Sequence, residues 1–267
     1  RLAMSAVPLK QLCIRGFMLD ITGVLYNSAK IGIGEAIPGS AEAVKKLYEK
    51  SCVRFVSNDS CSSPRLLANR LSKLGIYVDV KHIFTPISEA IKYIQRNRLR
   101  PHLLVHENVK DEFLGINIQN PNCVVLGDAE DEFTYENLNK AFRILMHNPL
   151  IITLGCGKFY RRMDGYVMDV GCYAKALQFA TDARIKIIGK PCQSFFDRAL
   201  NSMGLERDEV IMVGDDIDGD IAAAQAIGIK GALVRTGKWR QEWESHTIKP
   251  YFIGDSLFDV VNHLLPL

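Results

Sequence analysis

The chain alternates short apolar runs with longer stretches of helical period, and four of the runs stop at a polar residue able to do chemistry. "FML" (17–19) leads into Asp20, "VRFV" (53–56) into Ser57, "IKII" (185–188) into Gly189-Lys190, and "VIMV" (210–213) into Gly214-Asp215. Short apolar runs bounded by turn residues fit strands buried on both faces. Their alternation with helices calls for crossover connections, so the pattern predicts an α/β fold with a parallel sheet. "ALV" (232–234) and "YFI" (251–253) read as two further strands. In an open parallel sheet the ligand crevice lies beyond the carboxyl ends of the strands. Residues 20, 57, 190 and 215, far apart in sequence, are therefore expected to meet at one edge.

Helices fit between these runs. "SAEAVKKLYEK" (40–50) is expected to begin with Ser40 as its N-cap. "SPRLLANRLSKLG" (63–75) and "DIAAAQAIG" (220–228) each stop at a glycine, a common helix terminator, and "SLFDVVNHLL" (256–265) closes the chain. Between Ser57 and Lys190 lie about a hundred residues beyond what one crossover needs. They carry their own strand-like runs ("LLVH", "CVVLG", "LIITLG", "YVMDV") and helices ("TYENLNKAFRILMHN", "CYAKALQFATD"). This predicts a second α/β domain, residues 86–186, inserted into a catalytic core made of 1–85 and 187–267.

Composition narrows the function classes. The 267 residues are 48% hydrophobic and 24% charged, the balance of an ordinary globular protein with room for a sizeable core. The net charge of +3 comes from 33 basic and 30 acidic residues with no basic block, which gives no support to a nucleic-acid or membrane partner. No apolar run approaches membrane-spanning length. Seven cysteines without a CxxC pair or zinc-ligand spacing point to reduced thiols. A cytoplasmic location is expected, with the nucleus as a second. The opening "RLAMSAVPLKQLCIRG" lacks the apolar segment of a signal peptide, and Met4 reads as the start of the chain proper.

An aspartate at a strand end reads first as a cap or a turn. The second acidic stretch changes that balance for Asp20. "GDDIDGD" sets Asp215, Asp216, Asp218 and Asp220 directly after an apolar strand. Carboxylates crowded at a buried strand end repel one another unless a cation sits among them. A few hard oxygen ligands with room for water and phosphate suit Mg²⁺, whereas the ligand pattern of an EF-hand loop and its closing glutamate are absent. Lys190 offers a positive charge to a phosphate or to the Asp20 carboxylate, against the plainer reading of a solvated turn lysine. Ser57-Asn58 offers a hydroxyl and backbone N–H groups to phosphate oxygens, against the plainer reading of a turn. "IGIGEAIPG" (31–39) is no nucleotide loop, because Ile37 stands where the third glycine belongs. A carboxylate, a metal-binding acidic pair, a lysine and a serine together describe phosphoryl transfer through an aspartyl-phosphate.

The ordered set "DITGV", "SN", "GKP" and "GDDIDGD" resembles the four signatures of the haloacid dehalogenase superfamily, and the size and place of the insert resemble its C2-capped branch. The resemblance implies a Rossmann-like parallel sheet core with an inserted α/β cap and a Mg²⁺ cofactor. It makes Asp20 the nucleophile and a metal ligand, gives the Thr22 backbone carbonyl to the metal, and makes Asp215 the direct acidic ligand. Asp216 and Asp220 become outer partners that hold metal waters or Lys190, while Ser57, Asn58 and Lys190 bind phosphate. The expected partner is a small phosphorylated substrate or a phosphohistidine or phospholysine protein, and a homodimer is left open.

Most phosphatases of that superfamily carry a second aspartate, the general acid, where this chain has Thr22; one branch has serine there. A threonine hydroxyl is no acid near neutral pH, so roughly a hundredfold or more is forfeited on poor leaving groups. Good leaving groups lose little. The expected preference is therefore for P–N and P–O–P bonds, as in phospholysine, phosphohistidine and inorganic pyrophosphate, over alkyl esters. A phosphatase of small phosphomonoesters (sugar phosphate, nucleotide or pyridoxal phosphate) and a catalytically weak binding scaffold are the alternatives. A phosphate-receiver domain needs no such insert, and a dehalogenase needs no Asp215–Asp216 pair. "DAEDEF" (128–133) reads first as an acidic helix N-terminus, "KFYRR" (158–162) as a solvated basic loop, and His106 as packed.

Overall fold

The computed structural model describes residues 14–265, so the opening stretch with Met4 lies outside the described residues. Six parallel strands form one sheet in the order Phe252–Gly254, Lys230–Val234, Val210–Gly214, Gly16–Leu19, Cys52–Val56, Ile83–Phe84. The central strand Gly16–Leu19 is buried throughout, because both its faces are covered. Phe17 and Leu19 face one apolar cluster, with Val44, Leu47, Leu67, Leu71, Val260 and Val261 from three helices. Met18 faces the other, against Phe195, Phe196 and Leu200. This period-two division places helices on both sides of the sheet.

The register sets the site. Leu19 pairs with Val213 on one side and Phe55 on the other, so Asp20, Asp215 and Ser57 leave the sheet at nearly one level. The Asp20 N–H donates to Val213 O (2.9 Å) and the Ser57 N–H to Phe84 O (3.0 Å), so pairing extends to the residues themselves.

A second, four-stranded parallel sheet runs Arg184–Ile187, Leu150–Thr153, Cys123–Leu126, Pro101–Leu104. The helix Pro86–Arg96 covers one face through Ile87, Ala90 and Ile94. The helices Tyr135–Leu145 and Val170–Thr181 cover the other. The strand Arg184–Ile187 lies in this second sheet, which corrects the reading of "IKII" as a strand of the core. Its apolar character gave no sign of which sheet would take it. "YVMDV" likewise joins no large sheet: Gly165–Met168 pairs antiparallel with Phe159–Arg162 as a hairpin.

Two helix starts differ from the sequence reading. Ser40 is the first helical residue, not the cap; Gly39 holds the cap position at φ 78°, and the Ser40 hydroxyl donates to Leu25 O (2.9 Å). After Asp216 the chain winds as a π-helical turn, Ile217–Ala222, before the short α-helix Ala223–Ala226. Asp216 Oδ1 accepts from the N–H groups of Asp218 and Gly219, and the wider turn brings Asp220 Oδ2 back to the Asp216 N–H (3.2 Å). Gly214 is required beside it, since a Cβ there would lie 2.1 Å from Asp220 Oδ2. Among the described residues no helix is long and apolar enough to cross a membrane.

Candidate active site

Asp20 follows the central strand directly and is 8% exposed. Its Oδ1 accepts from the Ile21 N–H at 2.8 Å and lies 2.9 Å from Lys190 Nζ. The same ammonium lies 2.7 Å from Asp220 Oδ1. Lys190 is buried, and burial alone would favour its neutral form, but the Asp20 and Asp220 carboxylates outweigh burial and hold the amine protonated. The residue arrives from the exit of the four-stranded sheet, not from a strand of the core. Asn58 fixes its backbone in both directions, accepting from the Lys190 N–H (2.7 Å) and donating to its carbonyl (3.0 Å). The Asn58 side chain is thus committed to Lys190, and its backbone N–H is the group left for a ligand. Ser57 is buried beside it, its hydroxyl accepting from the Asp59 N–H at 3.1 Å.

Asp215 is held from one side only. Its Oδ2 accepts from the Lys238 N–H (2.8 Å), and two glycines of positive φ, Gly23 and Gly237, pack so near that a Cβ on either would lie 2.0 Å from that oxygen. Its Oδ1 is buried with no partner. An orphaned buried carboxylate oxygen is rare unless a ligand satisfies it. One oxygen each from Asp20, Asp215 and Asp220 lies within 4.8 Å of the others. Asp216 Oδ2 pairs with Lys238 Nζ at 2.7 Å, so both Asp216 oxygens are occupied, whereas Asp220 Oδ2 accepts from the Asp216 N–H and its Oδ1, like that of Asp215, has no hydrogen-bond partner beyond its ion pair with Lys190. Four carboxylates face two ammonium groups, an excess of two negative charges that a divalent cation offsets. Asp20 and Asp215 fit as its acidic ligands, and Thr22 lines the same cavity.

Without the cation, protons relieve the excess. Burial and then the neighbouring carboxylates push Asp215 up to about 8 and Asp220 up to about 7, while the Lys238 ammonium lowers Asp216 despite burial. The native state thus binds more protons than the unfolded chain, whose aspartates titrate near pH ~3.9. Metal-free protein should therefore lose stability as pH rises from about 4 through 8. Melting in EDTA should give a higher Tm at pH 5 than at pH 8, with added Mg²⁺ restoring Tm at pH 8. A Tm in EDTA that rises with pH over this range counts against the charge excess.

The cavity before Asp20 has a volume of about 360 Å³ and lies between the two sheets. Its walls correct three readings. "KFYRR" is half of the hairpin, and Arg162, 7% exposed, donates to Glu130 Oε1 and to the Tyr160 hydroxyl, both at 2.7 Å. The Tyr160 hydroxyl donates in turn to Asp128 Oδ2 (2.9 Å). Asp128 and Glu130 therefore line the cavity, and the helix beyond them is capped by Thr134, whose hydroxyl accepts from the Asn137 N–H. His106 also lines the cavity, its Nε2 lying 3.8 Å from Glu130 Oε2, and is not packed in the core. Thr22 and Tyr26 both line the cavity, and the Tyr26 hydroxyl accepts from Arg70 (3.0 Å).

Sequence reasoning missed Lys238. The signal was present, since "TGK" follows the strand "ALV" as the other site residues follow theirs.

A doubly covered parallel sheet with a buried carboxylate, a lysine and a cation-ready acid pair at its carboxyl edge defines a phosphohydrolase site on an α/β fold. Residues 17–119 match the family described as haloacid dehalogenase-like hydrolase, and residues 187–260 match a second, HAD-hydrolase-like family. The phospholysine phosphohistidine inorganic pyrophosphate phosphatase of Bos taurus is 44% identical over 256 residues, 94% of each chain. Haloacid dehalogenase-like hydrolase domain-containing protein 2 of Homo sapiens is 36% identical over 254 residues, 94% of this chain and 96% of that one. Among solved structures, the p-nitrophenyl phosphatase of Archaeoglobus fulgidus superposes with a TM-score of 0.79 at 29% identity, covering 94% of this chain and 99% of that one. The chain belongs to the haloacid dehalogenase-like hydrolases.

Proposed function

We propose that the protein is a Mg²⁺-dependent phosphohydrolase that works through an aspartyl-phosphate on P–N and P–O–P bonds: phospholysine, phosphohistidine and inorganic pyrophosphate. The observation that carries the reading is Asp20, buried at the sheet edge with Lys190 at 2.9 Å and the partnerless Asp215 Oδ1 beside it. Asp20 forms a bond to phosphorus as the bond to the leaving nitrogen or oxygen breaks. Water then displaces the Asp20 carboxylate from the acyl phosphate and regenerates it. Lys190 offsets charge on the phosphoryl oxygens, and Ser57 with the Asn58 N–H donates to them. Mg²⁺, held by Asp20, Asp215 and the Thr22 carbonyl, would supply charge neutralisation at the phosphoryl group.

Thr22 selects among substrates. A phosphorylated amine leaves well when its nitrogen is already protonated, and pyrophosphate releases a weakly basic phosphate. Neither needs an acid at position 22, whereas an alkoxide does. The relatives named for phospholysine, phosphohistidine and pyrophosphate support this choice of bonds. The p-nitrophenyl phosphatases among the structural neighbours support the alternative, a phosphatase of small phosphomonoesters. Mg²⁺-dependent phosphate release from pyrophosphate, a phosphohistidine peptide and an alkyl phosphate separates the two. Turnover of the first two with little of the third is expected; equal turnover of the alkyl ester overturns the selectivity.

A further inference from the structure

The loop after the strand Lys230–Val234 touches the Asp20 turn, the acidic stretch and the hairpin. The Thr236 hydroxyl donates to Gly23 O (2.6 Å), in the turn that follows Asp20 and Thr22. The Lys238 N–H donates to Asp215, and its ammonium pairs with Asp216. That ammonium also lies 3.4 Å from Phe159 O, at the base of the hairpin that carries Tyr160 and Arg162 into the cavity. Two residues on, the Arg240 guanidinium stands 4.5 Å from the centre of the Phe159 ring and 5.8 Å from that of Tyr166 on the opposite hairpin strand. A further cavity of about 290 Å³ opens on the other side of Asp20, and Asp20, Asn58, Asp169 and Lys238 line both.

We propose that Lys238 is a positioning residue that fastens the Phe159–Arg162 hairpin over Asp20 and closes the passage between the two cavities. The inference rests on the phosphohydrolase reading for its kinetic consequence but not for its structural one. The Lys238 side chain is 13% exposed, and its ammonium is shared between a core carboxylate and a carbonyl of the hairpin. The Asp169 carboxyl, across the passage, is raised by burial and drawn down again by the charge of Lys238. A half-buried cation between groups of two separate sheets ties their separation to its own ion pair. Losing it frees the hairpin that forms the leaving-group wall. The hold on Asp215 remains, because that bond comes from the backbone.

The test compares wild type with Lys238→Met, Lys238→Arg and Arg240→Ala, using amide hydrogen exchange, Mg²⁺ calorimetry and pyrophosphate kinetics. Lys238→Met should speed exchange of residues 159–168 about tenfold or more while exchange of the strand Cys123–Leu126 stays unchanged, since local opening is read separately from global unfolding. KM should rise about tenfold, by more than kcat changes, and Mg²⁺ affinity should increase, because the acidic cluster loses one of its two cations. Lys238→Arg should recover most of both effects. Arg240→Ala, which leaves the acidic residues untouched, should loosen the same hairpin to a lesser degree. Unchanged exchange in 159–168 for Lys238→Met and Arg240→Ala, or an equal rise in both sheets, overturns the proposal. A wild-type protein that fails to turn over pyrophosphate sinks the functional reading and leaves the exchange result standing.

Discussion

Asp20→Asn should abolish phosphate release from every substrate, by about ten-thousandfold or more, the scale seen when a covalent nucleophile is removed. The amide keeps the shape of the side chain and an oxygen for the Ile21 N–H and Lys190, so the fold should hold. It also removes one of the three carboxylates that crowd together there. The metal-free variant should therefore melt no lower than wild type at pH 8. Acid-stable, hydroxylamine-sensitive labelling from a phosphorylated substrate should appear in wild type and be absent in the variant. Residual labelling at another residue would move the nucleophile elsewhere. Retained turnover without labelling would favour direct attack by water.

Thr22→Asp should raise turnover of an alkyl phosphate by about a hundredfold, the usual contribution of a placed general acid, with pyrophosphate changed by less than about threefold. The change adds a carboxyl to the cavity wall that Tyr26 and Arg70 also line. Arg70 also lies 3.6 Å from Asp59, so it does not depend on the new acid for a partner. A pH optimum for the alkyl ester that falls off as the new carboxyl ionises would mark it as the proton donor. No gain in a folded, Mg²⁺-binding variant would show that leaving-group selectivity arises from the cavity walls and not from position 22.

The legibility of this site in the sequence follows its physics. Asp20, Ser57 and Asp215 were readable because each ends an apolar run whose burial forces it into the central sheet, and parallel pairing then levels the strand ends. Lys190 reaches Asp20 by a route that the apolar pattern does not show. "IKII" is as apolar as a core strand, yet it pairs with Leu150–Thr153 in the other sheet, and only contacts distant in sequence decide between the two. The cavity wall was the least legible part. Arg162, Tyr160, Asp128 and Glu130 form one chain of hydrogen bonds, but Arg162 and Glu130 stand more than thirty positions apart and each has an ordinary surface meaning alone. Hairpin residues look solvated in sequence until a second surface covers them. Ser40 failed as a cap for a local reason, because Gly39 in a left-handed turn moved the helix start by one residue.

The two-way bond between Asn58 and the Lys190 backbone bears on how new specificities are made in chains built this way. The intervening segment carries its own four-stranded sheet and supplies Asp128, Glu130, Tyr160 and Arg162 to the cavity wall. Its downstream end, however, carries Lys190, which pairs with Asp20. A chimera that takes residues 86–187 from one relative and keeps Ile188 to Pro191 with the Asn58 of the recipient would preserve that junction. A cut placed after Pro191 would import a foreign lysine segment against a native asparagine, and the loss would read as a failed enzyme when only the seam had failed.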